Sequence, residues 1–144
     1  MIDDDDDLDW TREEDGMLVR EEQDEAEVPY DLEERTARFG EVIIDFAKTV
    51  PVNPVTTRLI SQLVGCGTSI GANYCEANDY VSANDFVHKI SICRKEARET
   101  QYFLRMIVRA RPELGKDGRK LWREARALNL IFSAIWRNGR AKPK

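Results

Sequence analysis

The chain has 144 residues, enough for one domain whose hydrophobic core needs no disulfide or metal to support it. Its formal net charge of −5 conceals an asymmetry: residues 1–28 hold fourteen acids and two arginines, net −12, whereas residues 29–144 hold thirteen acids and twenty bases, net +7. Eight glycines, five prolines and three cysteines argue against a turn-rich β-sandwich or a disulfide scaffold, and no apolar run is long enough for a membrane span.

Residues 1–28 form an acidic segment without helical or strand periodicity. They carry too few apolar side chains to offset the entropy of ordering, which predicts a disordered tail at 1–28 ahead of a folded domain at 29–144. Leu8, Trp10 and the apolar residues at 17–19 leave a short recognition element open as an alternative. The start, MIDDDDDLDW, lacks the basic and apolar regions of a secretion signal, so we expect a cytoplasmic protein with reduced thiols.

The first two helices are predicted from apolar spacing and from prolines. Apolar residues at positions 39, 42, 43, 46, 47 and 50 follow one face of a helix. Asp31 is a candidate N-cap for this helix, and Pro51 ends it. The second helix is predicted from Pro54 to about Tyr80 and carries two adjacent stripes of small and apolar side chains with heptad-like spacing.

Two further helices follow. Ser82 is a candidate N-cap for the third helix, with Asp85 three residues on, and Pro112 and Gly115 mark its end. An unbroken heptad spacing runs along it through Phe86, Ile90, Cys93, Ala97, Thr100, Leu104 and Ile107. The fourth helix, at about 117–138, repeats the pattern with Leu121, Ala125, Leu128, Phe132 and Ile135. Four helices with short connections and no strand candidates predict an all-α, antiparallel up-down-up-down four-helix bundle.

The stretch GCGTSIGANYCEAN at 65–78 has the glycine content of a phosphate-binding loop. The dinucleotide pattern needs a third glycine where Ile70 stands, and the P-loop pattern finds neither its second glycine nor its lysine. Neither pattern follows a predicted strand, so both are excluded. A glycine inside a helix costs about 0.8–1.0 kcal/mol relative to alanine, so three of them predict a compensating close approach between helices.

The helix that these glycines approach is predicted from hairpin geometry. A turn centred near residues 81–82 places Gly67 level with Ala97. It also places Gly71 level with Cys93. Small residues of the second helix are therefore expected to face small residues of the third.

Other features of the second helix also concern packing. The same register brings Glu76 level with Lys89, and we expect a structural rather than catalytic ion pair there that fixes the helix register. Asn73 lies one turn before Glu76, near the contact with the third helix. A stripe of small or polar residues that includes Gly65 and Ser69 is either a contact between copies of the chain or merely tolerated on an exposed face.

The third and fourth helices carry most of the basic side chains. Arginines at i, i+4, i+11 and i+15 form one stripe on the third helix, and further bases follow on the fourth. The predicted nucleic-acid-binding set is Arg94, Lys95, Arg98, Arg105, Arg109, Arg119, Lys120, Arg123 and Arg126. Such a surface neutralises backbone phosphates without reading bases. The alternative is an ordinary solvated face that nearby glutamates partly match.

Catalytic and metal chemistry finds little support in the residue pattern. Asp85 and His88 have the spacing of a carboxylate-bundle metal site, but such sites need two histidine elements and the chain has one histidine. Cys93 lies on the apolar stripe and is expected to be a small core residue. Trp122 and Trp136, two heptads apart, are expected to pack rather than to stack on bases. We expect a non-enzyme without catalytic residues, metal, cofactor, small-molecule substrate or membrane partner.

The central motifs of the second and third helices resemble a known family. GTSIGANYCEAN followed by DFVHKISICRKEARETQYFLRMI is similar to the small four-helix-bundle proteins encoded within intervening sequences of bacterial 23S ribosomal RNA genes. The resemblance runs from about residue 32 to the end of the fourth helix. It centres on the Ser-Ile-Gly-Ala-Asn run with Glu76, then on Phe86, Lys89, Ala97, Glu99 and the Phe103–Leu104 pair. The long acidic tail and Cys75 depart from the family pattern.

The resemblance implies a ring-like homo-oligomer, a pentamer, without established enzymatic activity. The chain also looks related to the accessory variability determinant of diversity-generating retroelements, a basic pentamer thought to bind nucleic acid and a reverse transcriptase. We accordingly expect a homo-oligomer that binds nucleic acid, or a nucleic-acid-processing protein, through its basic surfaces, with the acidic tail competing there as a polyanion mimic. A purely structural or protein-interaction module is the alternative.

Overall fold

The computed structural model of the protein describes Trp10 and residues 32–141, with side chains up to Gly139. The predicted cap Asp31 and the acidic segment 1–28, except for Trp10, lie outside the described residues. The described chain contains four α-helices and a 3-10 helix at Pro112–Leu114: α1 (Leu32–Thr49), α2 (Pro54–Asn78), α3 (Ala83–Ala110) and α4 (Gly115–Ala141). No strand occurs among these residues, which confirms the all-α class.

Local capping explains where α2 and α3 begin. The Asn53 side chain accepts a hydrogen bond from the Thr56 amide, and Thr56 Oγ1 accepts one from the Asn53 amide, both at 2.9 Å. Pro54 stands at the first position of α2, where a missing N–H leaves no helical bond unmade. Ser82 caps α3 as predicted, because its Oγ accepts from the Asp85 amide at 3.0 Å.

The fourth helix is longer than predicted. It begins at Gly115, which was expected to mark the end of the third helix, and it continues to Ala141. The 3-10 helix leads directly into it, and Gly115 already has helical backbone angles of φ −58° and ψ −39°. The third helix ends at Ala110, two residues before Pro112, as a proline boundary requires.

Heptad side chains build the core. On α3, the six predicted positions from Ile90 to Ile107 are all fully buried, while Phe86 is half-buried. The polar member of this set, Thr100, donates its hydroxyl to the Glu96 carbonyl oxygen at 2.7 Å, so its burial leaves no bond unmade. The predicted core positions of α4 are likewise buried, with the last half-buried: Leu121, Ala125, Leu128, Phe132 and Ile135.

Neighbouring helices pack antiparallel. Val87 near the start of α3 lies against Gly139 near the end of α4, and Val108 near the end of α3 lies against Gly118 near the start of α4. The seam between α1 and α4 closes the bundle with fewer contacts than the other three seams. These contacts confirm the predicted up-down-up-down four-helix bundle. Within residues 32–141, no helix has the combination of length and apolarity that spanning a lipid bilayer requires.

Candidate functional site

The glycines of α2 make their close approach to α1, which corrects the predicted partner. A Cβ atom at Gly67 would lie 2.8–3.3 Å from side-chain atoms of Ile43. A Cβ atom at Gly71 would lie 3.2–3.3 Å from Thr36, including its backbone carbonyl carbon. Both partners are buried residues of α1, so the expectation that these glycines face small residues of the third helix is wrong.

The stripe of α2 beside the glycines faces α3 instead. Cys93, expected opposite Gly71, donates through Sγ to the carbonyl oxygen of Ile70 at 3.5 Å. Ala97, expected opposite Gly67, is fully buried in the core. The two stripes have the same spacing and differ by one residue, about 100° of rotation. Their period therefore could not indicate which stripe faces α3. The axial register of α2 against α3 was nevertheless predicted to within one residue, since Cys93 contacts Ile70 rather than Gly71.

The thiols are held in their protonated form. Burial raises the pKa of Cys66 to about 11 and that of Cys93 to about 12. Cys75 is exposed, and its pKa is raised by desolvation and by its hydrogen bond to Glu33 Oε1 at 3.5 Å. A thiol is a much weaker nucleophile than a thiolate, so the raised pKa values lower the nucleophilic reactivity of these cysteines.

The outer edge of α2 satisfies its own polar groups. Ser69 Oγ donates to the Gly65 carbonyl oxygen at 2.6 Å, and Asn73 Nδ2 donates to the Ser69 carbonyl oxygen at 2.8 Å. Among the residues that the structure describes, a Cβ atom at Gly65 would have no neighbouring atom within 4 Å. Close packing within the chain therefore explains why position 67 is a glycine, but it does not explain the glycine at position 65.

The predicted ion pair between α2 and α3 is formed. Lys89 Nζ lies 2.7 Å from Glu76 Oε2, and this hydrogen bond raises the pKa of Lys89. The Glu76 side chain keeps 60% of its surface exposed. Solvent screens a pair this exposed, which gives it the character of a surface contact.

The arginines of α3 line one side of the seam between α3 and α4. The Arg94 guanidinium lies 4.0 Å from the ring centroid of Trp136 on α4, a cation–π contact across the seam. Arg98, Arg105 and Arg109 follow Arg94 on the same stripe of α3, and all three are exposed. The stripe therefore runs along the outer edge of the contact with α4.

The α4 side of the same seam is lined by tryptophans and by two further arginines. Trp122 lies two heptads before Trp136, on the same face of α4. Arg119 and Arg126 lie three residues before and four after Trp122, and both are half-buried and engaged in contacts within the protein. We call this surface the basic seam, formed by Arg94, Arg98, Arg105 and Arg109 of α3 and by Arg119, Trp122, Arg126 and Trp136 of α4.

Three residues of the predicted binding set lie outside the basic seam. Lys95 is one residue beyond Arg94, and Lys120 is two residues before Trp122. Residues one or two positions apart lie on different faces of a helix, so both lysines point away from the seam. Arg123 follows Trp122 by one residue and so points about 100° away from it around α4. The fold thus brings six of the nine predicted bases to one seam, where the arginine stripe of α3 borders two arginines of α4.

Two contacts across the bundle carried no signal in the sequence. Arg35 of α1 donates through Nε and Nη2 to the Glu124 carboxylate of α4, at 2.9 and 2.7 Å. Asn129 of α4 donates through Nδ2 to the Arg94 carbonyl oxygen at 2.8 Å. None of these side chains stands on a heptad core stripe, so apolar periodicity could not indicate them.

A groove of about 420 Å³ lies between α1 and α2. It is lined by three glutamates, Glu33, Glu34 and Glu41, together with Ile44 of α1 and Ala72 of α2. Ile44 keeps 43% of its surface exposed. The first two helices therefore present a partly apolar acidic groove, in contrast to the basic seam of α3 and α4.

Asp85 and His88, whose spacing resembles that of a metal site, have other surroundings in the fold. Asp85 accepts a hydrogen bond from the Val81 amide at 3.3 Å and so supports the start of α3, while His88 is exposed. Within the part of the chain that the structure describes, no three His, Cys, Asp or Glu side chains are grouped so that they could hold a metal ion.

Known proteins with the same bundle place the chain in a family. The family model described as 23S rRNA-intervening sequence protein matches residues 30–130. A crystal structure of a protein of unknown function from the S23 ribosomal protein family of Bacteroides thetaiotaomicron aligns with a TM-score of 0.64 and 27% identity, covering 72% of this chain and 96% of that one. No curated protein matches the chain. Sequence motifs, fold and family match agree, and the chain belongs to the 23S rRNA-intervening sequence protein family.

Proposed function

We propose that this chain is a non-enzymatic, cytoplasmic protein that assembles into a homo-oligomer and binds the phosphate backbone of nucleic acid along the basic seam. The observation that carries the proposal is the convergence of the arginine stripe of α3 with Arg119 and Arg126 of α4 on one seam. The stripe from Arg94 to Arg109 extends about 22 Å along α3. A DNA duplex of that length carries roughly a dozen phosphate charges, so several phosphates are within reach at once.

The side chains of the seam suit phosphates better than bases. A guanidinium group binds phosphate oxygens with two parallel hydrogen bonds. Arg94 lies over the Trp136 ring, and Trp122 is buried with Trp10 packed against it, so neither ring is presented to a base in this structure. We therefore expect binding that depends little on base sequence and steeply on salt concentration.

The assembly part of the proposal rests on the first two helices. The acidic groove exposes Ile44, and Val42 on the same helix keeps 46% of its surface exposed. Gly65 on the outer edge of α2 leaves room for a second chain to approach closely. Assembly through this side would leave the basic seam open and repeat it around a ring, which strengthens the field that attracts a polyanion. We propose a pentamer, as the resemblance implies, and light scattering coupled to size-exclusion chromatography measures the subunit number.

The non-enzymatic part of the proposal is supported by the structural roles of the reactive side chains. Raised pKa values keep the Cys66 and Cys93 thiols protonated. Cys75 donates a hydrogen bond to Glu33, and Asp85 accepts one from the Val81 amide at the start of α3. Each of these groups therefore has a structural partner.

Binding of a fluorescein-labelled RNA of arbitrary sequence, followed by anisotropy over a salt titration, tests the nucleic-acid part. The protein is the full chain in which the six aspartates at 3–9 are changed to asparagine, so that tail charge does not mask the seam. Arg98→Glu combined with Arg105→Glu is expected to lower affinity roughly tenfold or more, because both side chains lie in the seam. The matched control is Lys95→Glu with Lys120→Glu, two exposed bases outside the seam, for which we expect a much smaller loss.

An equal loss of RNA affinity in the two double variants would contradict binding at the basic seam. It would indicate that RNA is attracted by the overall positive charge of residues 29–144. A labelled DNA duplex in the same titration is expected to show a similar salt slope. If neither nucleic acid binds at low salt, the alternative of a structural or protein-interaction module replaces the proposal.

A further inference from the structure

Trp10 precedes α1 by more than twenty residues and is nevertheless buried. Its side chain keeps 8% of its surface exposed, and its ring centroid lies 5.5 Å from that of Trp122 at an interplanar angle of 54°. Tilted pairs at this separation are a preferred arrangement of aromatic rings. An indole from the acidic segment therefore packs on α4 within the basic seam.

The register between α3 and α4 locates this contact among the arginines. Near both ends of the pair, glycines of α4 pack against valines of α3 in one register. In that register Trp122 is level with Leu104, so Arg105 is its neighbour on α3 and Arg109 lies about one turn beyond Arg105. Arg119 and Arg126 flank Trp122 on α4 itself. The Trp10 ring therefore packs at a point of the seam that has arginine side chains on both α3 and α4.

The residues on either side of Trp10 are strongly acidic. Six aspartates lie at 3–9 and three more acids at 13–15, and none of them is more than seven residues from Trp10. A fully extended chain spans at most about 3.3–3.6 Å per residue, so all nine acids stay within about 25 Å of their anchor. That reach is comparable with the length of the arginine stripe.

We propose that the acidic segment at 1–28 docks on the basic seam with Trp10 as its anchor against Trp122, and that it competes there with nucleic acid. This regulation rests on the proposed function, because it acts at the same seam. The indole supplies an apolar contact at a fixed position, and the aspartates supply the negative charge that a phosphate backbone would otherwise bring. A segment of the same chain acts at a high effective concentration, so nucleic acid must displace it.

The docking step is tested without nucleic acid, by the indole N–H signals of the full chain labelled with nitrogen-15. The chain has three tryptophans, and Trp10→Ala removes one signal. The Trp122 signal is expected to shift, because it loses the ring current and the cover of Trp10, whereas the Trp136 signal stays in place. Leu18→Ala in the same segment is the control and is expected to move neither signal. An unchanged Trp122 signal in Trp10→Ala would overturn the docking.

Competition is measured on the same full-length variants with the fluorescein-labelled RNA at low salt. Trp10→Ala and the variant with six asparagines at 3–9 are each expected to bind several-fold more tightly than the original chain, while Leu18→Ala binds like it. A shifted Trp122 signal with unchanged affinity would show docking without competition and would overturn the regulation. If no variant binds RNA, the proposed function fails and competition fails with it, while the indole signals still decide the docking.

Discussion

The two hairpins of the bundle use the same packing device but carry different surfaces. In the first, α1–α2, glycines in the middle of α2 lie against side chains of α1. In the second, α3–α4, Gly118 and Gly139 near the two ends of α4 lie against valines of α3. Residues 32–78 contain five acids and four bases, whereas residues 83–139 contain six acids and thirteen bases.

Helix approach and surface charge are therefore set by different residues in this bundle. The approach depends on the side chains along the line of contact, where glycine lets backbones come close. The outward faces do not touch that line and can differ freely. One hairpin therefore presents the acidic groove and the other the basic seam, without a change in the packing that supports them.

The largest expected effect comes from filling the contact line of the first hairpin. Gly67→Leu should lower the free energy of unfolding by about 1–3 kcal/mol, the usual range for overpacking a core, because its side chain would collide with buried Ile43. The control is Gly65→Leu, two residues away on the same helix, where no atom of the described residues stands in the way.

Gly65→Leu should instead stabilise the chain, by up to about 0.8 kcal/mol from helix propensity. Urea denaturation at matched protein concentration measures both variants. Equal stability of the two would refute the close approach to α1. If Gly65→Leu keeps its stability but loses assembly mass, the outer edge of α2 is a contact between copies.

A smaller effect is expected where the two hairpins meet. Arg35→Ala removes a two-bond ion pair with Glu124, and only 18% of the Arg35 side chain is exposed. We expect a loss of about 1 kcal/mol, the upper end for ion pairs near a surface.

Arg38→Ala is the matched control for this pair. Its partner Glu34 lies on the same helix at 3.3 Å, and both side chains are more than two-thirds exposed. We expect a change of at most about 0.5 kcal/mol. Thermal unfolding measures the stability of both variants. A larger loss of stability for Arg38→Ala would show that the Arg35–Glu124 pair does not stabilise the contact between α1 and α4.

A pH-dependent effect is expected on α3. Burial, reinforced by Glu99, raises the pKa of Glu96. A carboxyl group with a raised pKa contributes stability below its unfolded value and loses it as pH rises through the folded one. Glu96→Gln should therefore raise the melting temperature slightly at pH 7 and leave it nearly unchanged at pH 4. Glu41→Gln, on the exposed face of α1, controls for loss of one charge. A gain at pH 4 as large as at pH 7 would contradict this account.

The smallest effect is expected at the exposed pair between α2 and α3. Lys89→Met removes the partner of Glu76, but buried contacts such as Ile70 with Cys93 hold the same register. The melting temperature should fall slightly at low salt, and the difference should vanish at high salt because the pair is screened. Lys95→Met is the control on the same helix. A change in fold or assembly mass would show that the ion pair fixes the register after all.

Most of the fold was predictable because its signals are local. The Ser82 cap, the prolines at 51 and 54 and the heptad spacing of α3 each act within a few residues of chain, and the structure confirms each of them. The junction before α4 was less predictable, since Gly115 is compatible with either a helix end or a helix interior. Its helical backbone follows from the 3-10 helix that precedes it.

The candidate site was predictable only in its parts. The arginine stripe of α3 and the two tryptophans of α4 stood out by spacing, yet nothing in that spacing indicated that they border one seam. The ion pair of Arg35 with Glu124 joins residues 89 positions apart, and no periodicity relates them.

Local sequence was enough to specify four amphipathic helices, the antiparallel register of α2 with α3 and the basic character of the body. The packed molecule was needed to assign the glycine stripe to α1, to join the arginines of α3 and α4 and to place Trp10 on Trp122. The period of a helix is a property of its own chain, whereas its rotation about the axis depends on the neighbours it packs against.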